Sequence, residues 1–272
     1  MDNFMQLTKR LGHSPELLRL VALDTTYDDA LEGNLVLAPL DMSKPGKKIL
    51  DLGTADGTWL RGVRSKQSIQ HDYYGSDVEG ELFPEDTDGI TYFAHSFKDL
   101  WPEKYHGIFD LVHIRGSMAG SAPEGPAHVI RNLLPLLKPG GWVQLMEMNG
   151  SNPPKNGPAM TEFAKMAIEM FTFIGAGDFA NNNKRILEET GYKNVQEKRV
   201  LVNLGKLAKP ELHDISIHGV TGPIIPLTSV AKSNPSCSFT HEELDALPGR
   251  VKAELDSQGG RIEAVIAYGQ KA

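Results

Sequence analysis

The stretch Lys48-Ile49-Leu50-Asp51-Leu52-Gly53-Thr54-Ala55-Asp56-Gly57-Thr58-Trp59-Leu60 constrains the fold more than any other part of the chain. Its apolar opening reads as a buried strand, too short for a free-standing helix. Asp51 ends the run, Gly53 and Gly57 bracket a turn of small residues, and Trp59-Leu60 restart an apolar pattern as a helix. A strand that breaks at glycine and resumes as a helix aims free backbone N–H groups at whatever lies above the turn. Gly53 lacks a Cβ, so a ligand could approach the backbone there. The bland alternative is an ordinary strand–helix connection, and the turn must be weighed with its neighbours.

Spacing separates two ligand classes. The dinucleotide frame G-x-G-x-x-G falls on Gly53, Ala55 and Thr58, so two of its three glycines are missing. The D-x-G-x-G-x-G frame of S-adenosylmethionine (SAM) enzymes falls on Asp51, Gly53, Ala55 and Gly57, with one glycine replaced by alanine. SAM has no pyrophosphate, so such a turn need hold only a carboxylate and an ammonium. Twenty residues past Gly57, Asp77 ends a second strand pattern, Tyr73-Tyr74-Gly75-Ser76-Asp77-Val78. A carboxylate at that distance can accept from both hydroxyls of a ribose, or it can be a plain turn acid before Glu79-Gly80. Phe109-Asp110-Leu111-Val112-His113-Ile114-Arg115 reads as another buried strand. Leu133 to Leu145 reads as helix end, Pro139-Gly140-Gly141 turn and strand.

In this order and spacing, these motifs resemble the class I SAM-dependent methyltransferases, and more narrowly the fungal LaeA-like branch. The resemblance rests on Leu50-Asp51-Leu52-Gly53-Thr54 with Gly57-Thr58-Trp59, on Gly75-Ser76-Asp77, on Phe109 to Arg115, and on Leu137-Lys138-Pro139-Gly140-Gly141-Trp142. It implies a doubly wound α/β fold with a mostly parallel, seven-stranded, Rossmann-like sheet, N-terminal helices and a C-terminal cap insert. On that layout residues 1–272 form a single methyltransferase domain. Residues 1–45 would be a helical lid, 46–150 the SAM-binding core, and 151–272 the acceptor side, with an insert at 205–253 and closing antiparallel strands. The cofactor would be SAM, leaving as S-adenosylhomocysteine. Candidate cofactor residues are Asp51, Gly53, Thr54, Ala55, Gly57, Asp77, Val78, Ser96, Phe97 and Arg115. The family often places an acid after the third strand to accept from the adenine amino group; here His95-Ser96-Phe97 stands instead. Ser96 could still accept a hydrogen bond and Phe97 could flank the base, or both could belong to an ordinary loop.

Composition narrows the class further. At 272 residues and net charge −7, the chain is long enough for one sizeable core and lacks the basic footprint of a dedicated nucleic-acid binder. No run of 18 apolar residues occurs, so no membrane span is expected. Met1-Asp2-Asn3-Phe4 lacks signal-peptide features and Cys237 is alone, which together point to a cytoplasmic, reducing setting. No metal site is expected, because the nine histidines show no HxxxH or HExxH pairing.

Along the chain, helical patterns are predicted at Phe4–Leu11, at Ser14–Leu23 with Ser14 as cap, and at Tyr27–Leu37. Gly89–Phe97 reads as the third strand with its loop, and Ile108–Ile114 as the fourth. Trp142–Met148 is the fifth, with a loop from Asn149 to Pro158. Helices follow at Ala159–Phe173 and Lys184–Gly191, and alternating strands at Asn194–Leu204 and Arg261–Gln270. Thr240 and Glu243 form a capping-box pattern.

Ligands of open α/β sheets sit outside the carboxyl ends of the strands. That puts Arg115, Ser117 and Met118 at the reacting end, with Tyr27, Asn149 and Met170 as further acceptor-pocket candidates. A Met/Phe stripe such as that of Met170 is more often core than pocket. His113 and Glu147 are the candidate catalytic bases, ahead of His95 and His218, and a core histidine is the bland reading of His113. The best-supported function is methyl transfer to an oxygen or nitrogen of a small, largely apolar secondary metabolite. Alternatives are a SAM-binding protein that catalyses a non-methylating cyclisation, a LaeA-type regulator, and a dinucleotide oxidoreductase, the last disfavoured by the glycine frame. The sequence does not disclose the oligomeric state.

Overall fold

The computed structural model describes residues 15–151 and 154–272. The pattern at Phe4–Leu11, the Ser14 cap, and Asn152 and Pro153 of the Asn149–Pro158 loop lie outside the described residues. Seven strands, β1 Lys48–Leu52, β2 Asp72–Asp77, β3 Ile90–Ala94, β4 Phe109–Arg115, β5 Leu137–Asn149, β6 Lys193–Leu204 and β7 Gly260–Gln270, form one sheet in the order β3-β2-β1-β4-β5-β7-β6. The helices are α1 Pro15–Ala30, α2 Thr58–Ser65, α3 Pro126–Leu133, α4 Pro158–Phe173, α5 Phe179–Glu189, α6 His213–Thr221, α7 Ile224–Lys232 and α8 His241–Ser257. The four pairings from β3 to β5 are parallel. On β6 and β7, Asn194 bonds Gln270, Gln196 bonds Tyr268 and Asn203 bonds Arg261. Partners advance on one strand as they retreat on the other, so this pair is antiparallel, as expected for the sheet's closing strands.

The chain divides into two compact units. One, the sheet unit, comprises Asn34–Met148, Phe179–Arg199 and Val265–Ala272. Its core is the run of Ile49, Leu50, Leu52, Leu111, Val112, Ile114, Val143 and Leu145, all at most 1 % exposed, as befits parallel strands covered on both faces. Helix α3 packs on α5, which begins at Phe179, five residues before the expected start, because Phe179 and Ala180 are buried and extend its apolar face. The expected Pro139-Gly140-Gly141 turn lies inside β5. Phe109 pairs with Leu137 and Leu111 with Trp142, so the intervening residues bulge from the ladder. Lys138 at the bulge reaches Asp110 at 2.6 Å, and Asp110 also accepts from the Lys48 amide at 2.9 Å.

The other, helical unit comprises, among the described residues, 15–33, 149–151, 154–178 and 200–264. Here α1 packs on α6, and a Cβ on Gly219 would stand 2.8 Å from the Leu23 amide nitrogen, so glycine is what lets these two backbones meet. The expected helix Tyr27–Leu37 is not formed. Tyr27 belongs to α1, which stops where Glu32 and Gly33 turn left-handed and the Gly33 amide closes back on the Asp28 carbonyl. Helix α8 opens on the predicted capping box between Thr240 and Glu243. The Glu254 carboxylate of α8 accepts from the Ala159 and Met160 amides, at 2.7 and 3.1 Å, and so caps α4 from outside that helix.

Candidate functional site

The register of the sheet unit explains which side chains meet. Tyr92, Gly75, Asp51, His113 and Gln144 are successive lateral neighbours across β3, β2, β1, β4 and β5, so they share one face. Asp51 Oδ1 lies 2.8 Å from His113 Nδ1, and the indole of Trp59 stacks on the imidazole with centroids 3.7 Å apart. His113 is fully buried. Gln144 accepts the amides of Leu37 and Ala38 and donates to the Leu35 carbonyl, so one buried amide stitches the segment that precedes β1 to the sheet. A polar residue inside the apolar run Val143-Gln144-Leu145 is the signal that could have disclosed it.

The glycine turn is tied down more firmly than the strand–turn–helix pattern suggests. The amides of Gly53 and Thr54 donate to the Ser76 carbonyl, that of Gly57 to the Thr54 carbonyl, and that of Ala55 to Asp77 Oδ2 at 2.9 Å. The expected free amides at these four positions are therefore engaged within the chain. The glycines also make room for protein side chains. A Cβ on Gly53 would strike Ser117, and one on Gly57 would strike the Tyr92 phenol. Tyr92 donates to the Asp56 carbonyl at 3.2 Å, and burial pushes its hydroxyl up to about 12, so it stays protonated as a donor. Arg61 of α2 bonds the Asp56 carbonyl, and its other nitrogen reaches Asp56 Oδ2 at 2.5 Å and Thr58 Oγ1 at 2.9 Å. Asp56, Arg61 and Tyr92 were not singled out from the sequence. The Asp56-Gly57-Thr58 triplet, an acid two residues before a helix-opening threonine, was their available signal.

Asp77 stands at the end of β2 facing this turn. Its Oδ2 accepts from Ala55 and its Oδ1 from the Glu79 amide at 3.2 Å, which leaves each oxygen a lone pair for a further donor. Val78 beside it is 64 % exposed, an apolar side chain held in the open next to a carboxylate. Ser96 accepts from the Lys98 amide at 3.3 Å, and Phe97 approaches Gly120 of the loop after β4.

The reacting-end candidates of this unit are also brought together. Glu147 is 4 % exposed, and its Oε1 accepts the amides of Ser117 and Met118 at 3.1 and 2.9 Å. Burial drives its carboxyl up to about 8, against the pull of the two amides and the Arg115 charge. Ser117 donates from its hydroxyl to the Arg115 carbonyl, and Met118 is fully buried. His95, the other candidate in this unit, lies against Trp101 with centroids 4.2 Å apart and the rings tilted by 46°.

In the helical unit, Asn149 donates to Glu263 at 2.6 Å and accepts from Ser151, whose hydroxyl donates to Asp178. Tyr27 and Met170 are buried in α1 and α4. His218 lies in α6, and burial, with Arg19 nearby, lowers its pKa. Among the described residues no cluster of metal-ligating side chains occurs, and no helix is long and apolar enough to cross a membrane.

A family model described as a methyltransferase domain matches residues 26–197. The chain is 78 % identical, over the full length of both, to methyltransferase psoC of Aspergillus fumigatus. It is 36 % identical to N-methyltransferase sirN of Leptosphaeria maculans, covering 89 % of this chain and 87 % of that protein. Phosphoethanolamine N-methyltransferase 2 of Haemonchus contortus, solved in complex with S-adenosyl-L-methionine, superposes with a TM-score of 0.54 at 14 % identity. That likeness covers 98 % of this chain and 60 % of the Haemonchus one, and it is a likeness of fold.

Proposed function

Since the chain belongs to the methyltransferase-domain family, we propose that it moves a methyl group from SAM to a nitrogen or oxygen of a small, largely apolar metabolite. When bound, SAM supplies a methyl group already activated by the sulfonium charge. The observation that carries the reading is the Asp77–Ala55 link. It sets a carboxylate with spare acceptor capacity beside the glycine turn, the arrangement a ribose diol requires. Asp51, held through one oxygen by His113, keeps its other oxygen for an ammonium, and exposed Val78 offers an apolar edge to a base. The protein's task is chiefly alignment of the acceptor, which can supply up to ~7–11 kcal/mol in model systems.

The name of the Leptosphaeria relative, an N-methyltransferase, favours nitrogen as the acceptor atom. Within the family we read the chain as LaeA-like, on the Gly53-Thr54 turn and His113-Ile114-Arg115, and as a cytoplasmic enzyme of secondary metabolism. On this reading the whole chain is one methyltransferase domain in which residues 46–150 serve SAM and the flanking parts serve the acceptor. A second reading, a non-methylating cyclase, is favoured by one feature: Ala55 holds a left-handed φ of 48° where the SAM frame has glycine. Incubation with isotope-labelled SAM and a fungal metabolite extract, followed by mass spectrometry, separates the two. A product heavier by one labelled methyl supports transfer; conversion without change of mass supports the cyclase; no conversion and no SAM binding sinks both.

A further inference from the structure

The acid at the end of β5 has a geometry unlike that of a base waiting for a substrate proton. Glu147 is buried, and one of its oxygens takes the two consecutive amides of Ser117 and Met118. Those amides open the tight turn Met118–Ser121, which has no side-chain cap of its own. The Gly116 amide returns to the Met146 carbonyl, so the loop is fastened to β5 immediately before Glu147 as well. What the loop touches gives this fastening its meaning. Ser117 occupies the space that a Cβ on Gly53 would fill, at the corner of the glycine turn. Gly120, three residues on, lies against the ring of Phe97. The Phe97 loop is bound to the same neighbourhood through Lys98. Its ammonium donates to the Ala122 carbonyl at 2.9 Å, and its own carbonyl bonds His128 and Asn132 of α3. One short loop thus abuts both the turn and the aromatic residue read here as flanking the cofactor.

We propose that Glu147 is a positioning residue: by holding the Ser117 and Met118 amides it sets the loop after β4 against Gly53 and Phe97, and so shapes the SAM site without exchanging a proton with the acceptor. The inference rests on the SAM reading given above. Its chemical requirement is an acceptor oxygen at this place. A charge is not required, and burial favours the neutral acid there. Gln keeps the oxygen, whereas Met keeps the volume and loses it.

The test is the affinity for S-adenosylhomocysteine by calorimetry, with steady-state kcat and KM for SAM, on folded wild type, Glu147→Gln and Glu147→Met. Loss of a doubly used buried acceptor is expected to weaken affinity and raise KM by about tenfold or more in the Met variant, while Gln restores both to within about threefold. Equal affinity in all three proteins overturns the inference and leaves the SAM reading standing. A Gln variant that binds normally and loses kcat as fully as Met also overturns it, since that is the behaviour of a base. A wild type that does not bind S-adenosylhomocysteine fails the SAM reading itself, and the inference with it. Should the Met variant not fold, hydrogen exchange of wild type decides: the Ser117 and Met118 amides are expected to exchange slowly and to slow further with S-adenosylhomocysteine. Fast exchange in both states overturns the inference.

Discussion

At the scale of single residues, Asp77, Ala55 and Glu147 each carry a test of the proposed site. Asp77→Ala removes the acceptor of the Ala55 amide and, on the proposed ribose role, of two ligand hydroxyls, so affinity for S-adenosylhomocysteine should fall by about tenfold or more. Unchanged binding heat on folded protein would refute the ribose assignment. Ala55 carries a φ of 48°, where glycine is at ease and a Cβ is not. Ala55→Gly relieves that strain while loosening the unfolded chain, and the two effects, each about 1 kcal/mol, oppose one another. The substitution should therefore leave the melting temperature within a few degrees of wild type, unlike most glycine substitutions, and a large loss would show that Ala55 packs a needed side chain. Glu147 carries a pH signature. Its folded pKa, pushed up to about 8 by burial, exceeds the unfolded value of 4.5. Between these two values the folded state binds more protons, so this group's contribution to stability falls as pH rises through that window. The stability gap between wild type and Glu147→Gln should shift in favour of the Gln variant from pH 5 to 8 and then level off, as read by denaturant titration. A gap independent of pH would mean that Glu147 is ionised throughout.

At the scale of the element, caps and crossings decide more than propensity does. Helix α4 opens after Gly157, with Pro158 as its first residue and no side-chain cap from its own sequence; the missing acceptor arrives from Glu254 on α8. Glu254→Ala orphans two amides at a buried helix start and should cost about 1–3 kcal/mol, measured by denaturant unfolding. Glu254→Gln should recover most of it; equal loss in both would assign the effect to charge instead. Helix α8, by contrast, is capped by its own flanking Thr240 in a reciprocal box with Glu243, and that cap was readable from spacing alone. The bulge in β5 carries the same lesson. Pro139-Gly140-Gly141 is turn-like in composition, yet pairing of Leu137 with Phe109 keeps the flanking residues in the ladder. Strand β6 lies at the edge of the sheet, and Lys193, Glu197, Lys198 and Arg199 along it guard against pairing with another chain.

For the molecule as a whole, binding should be visible as stability. A ligand that binds only the folded state at a hundred times its dissociation constant adds about 2.7 kcal/mol, and a chain of this size gains ~2–4 °C per kcal/mol. Saturating S-adenosylhomocysteine should thus raise the melting temperature by about 5–10 °C, and a flat thermal scan would remove the basis for the function. The sequence by itself determined the parts that depend on local order: the strand–turn–helix at Asp51 to Trp59, the strand ending in Asp77, the buried strands read from apolar runs, and the two alternating strands at the end, whose antiparallel pairing came only from the family resemblance. Those signals are local because periodicity and glycine turns are set by residues a few positions apart. Only the tertiary structure decided that the Gly53 corner is filled by Ser117, that His113 lies sealed under Trp59 against Asp51, and that Glu147 holds a loop. These partners stand 30 to 64 residues apart in the chain, joined by the lateral register of strands, which no spacing rule within one segment encodes.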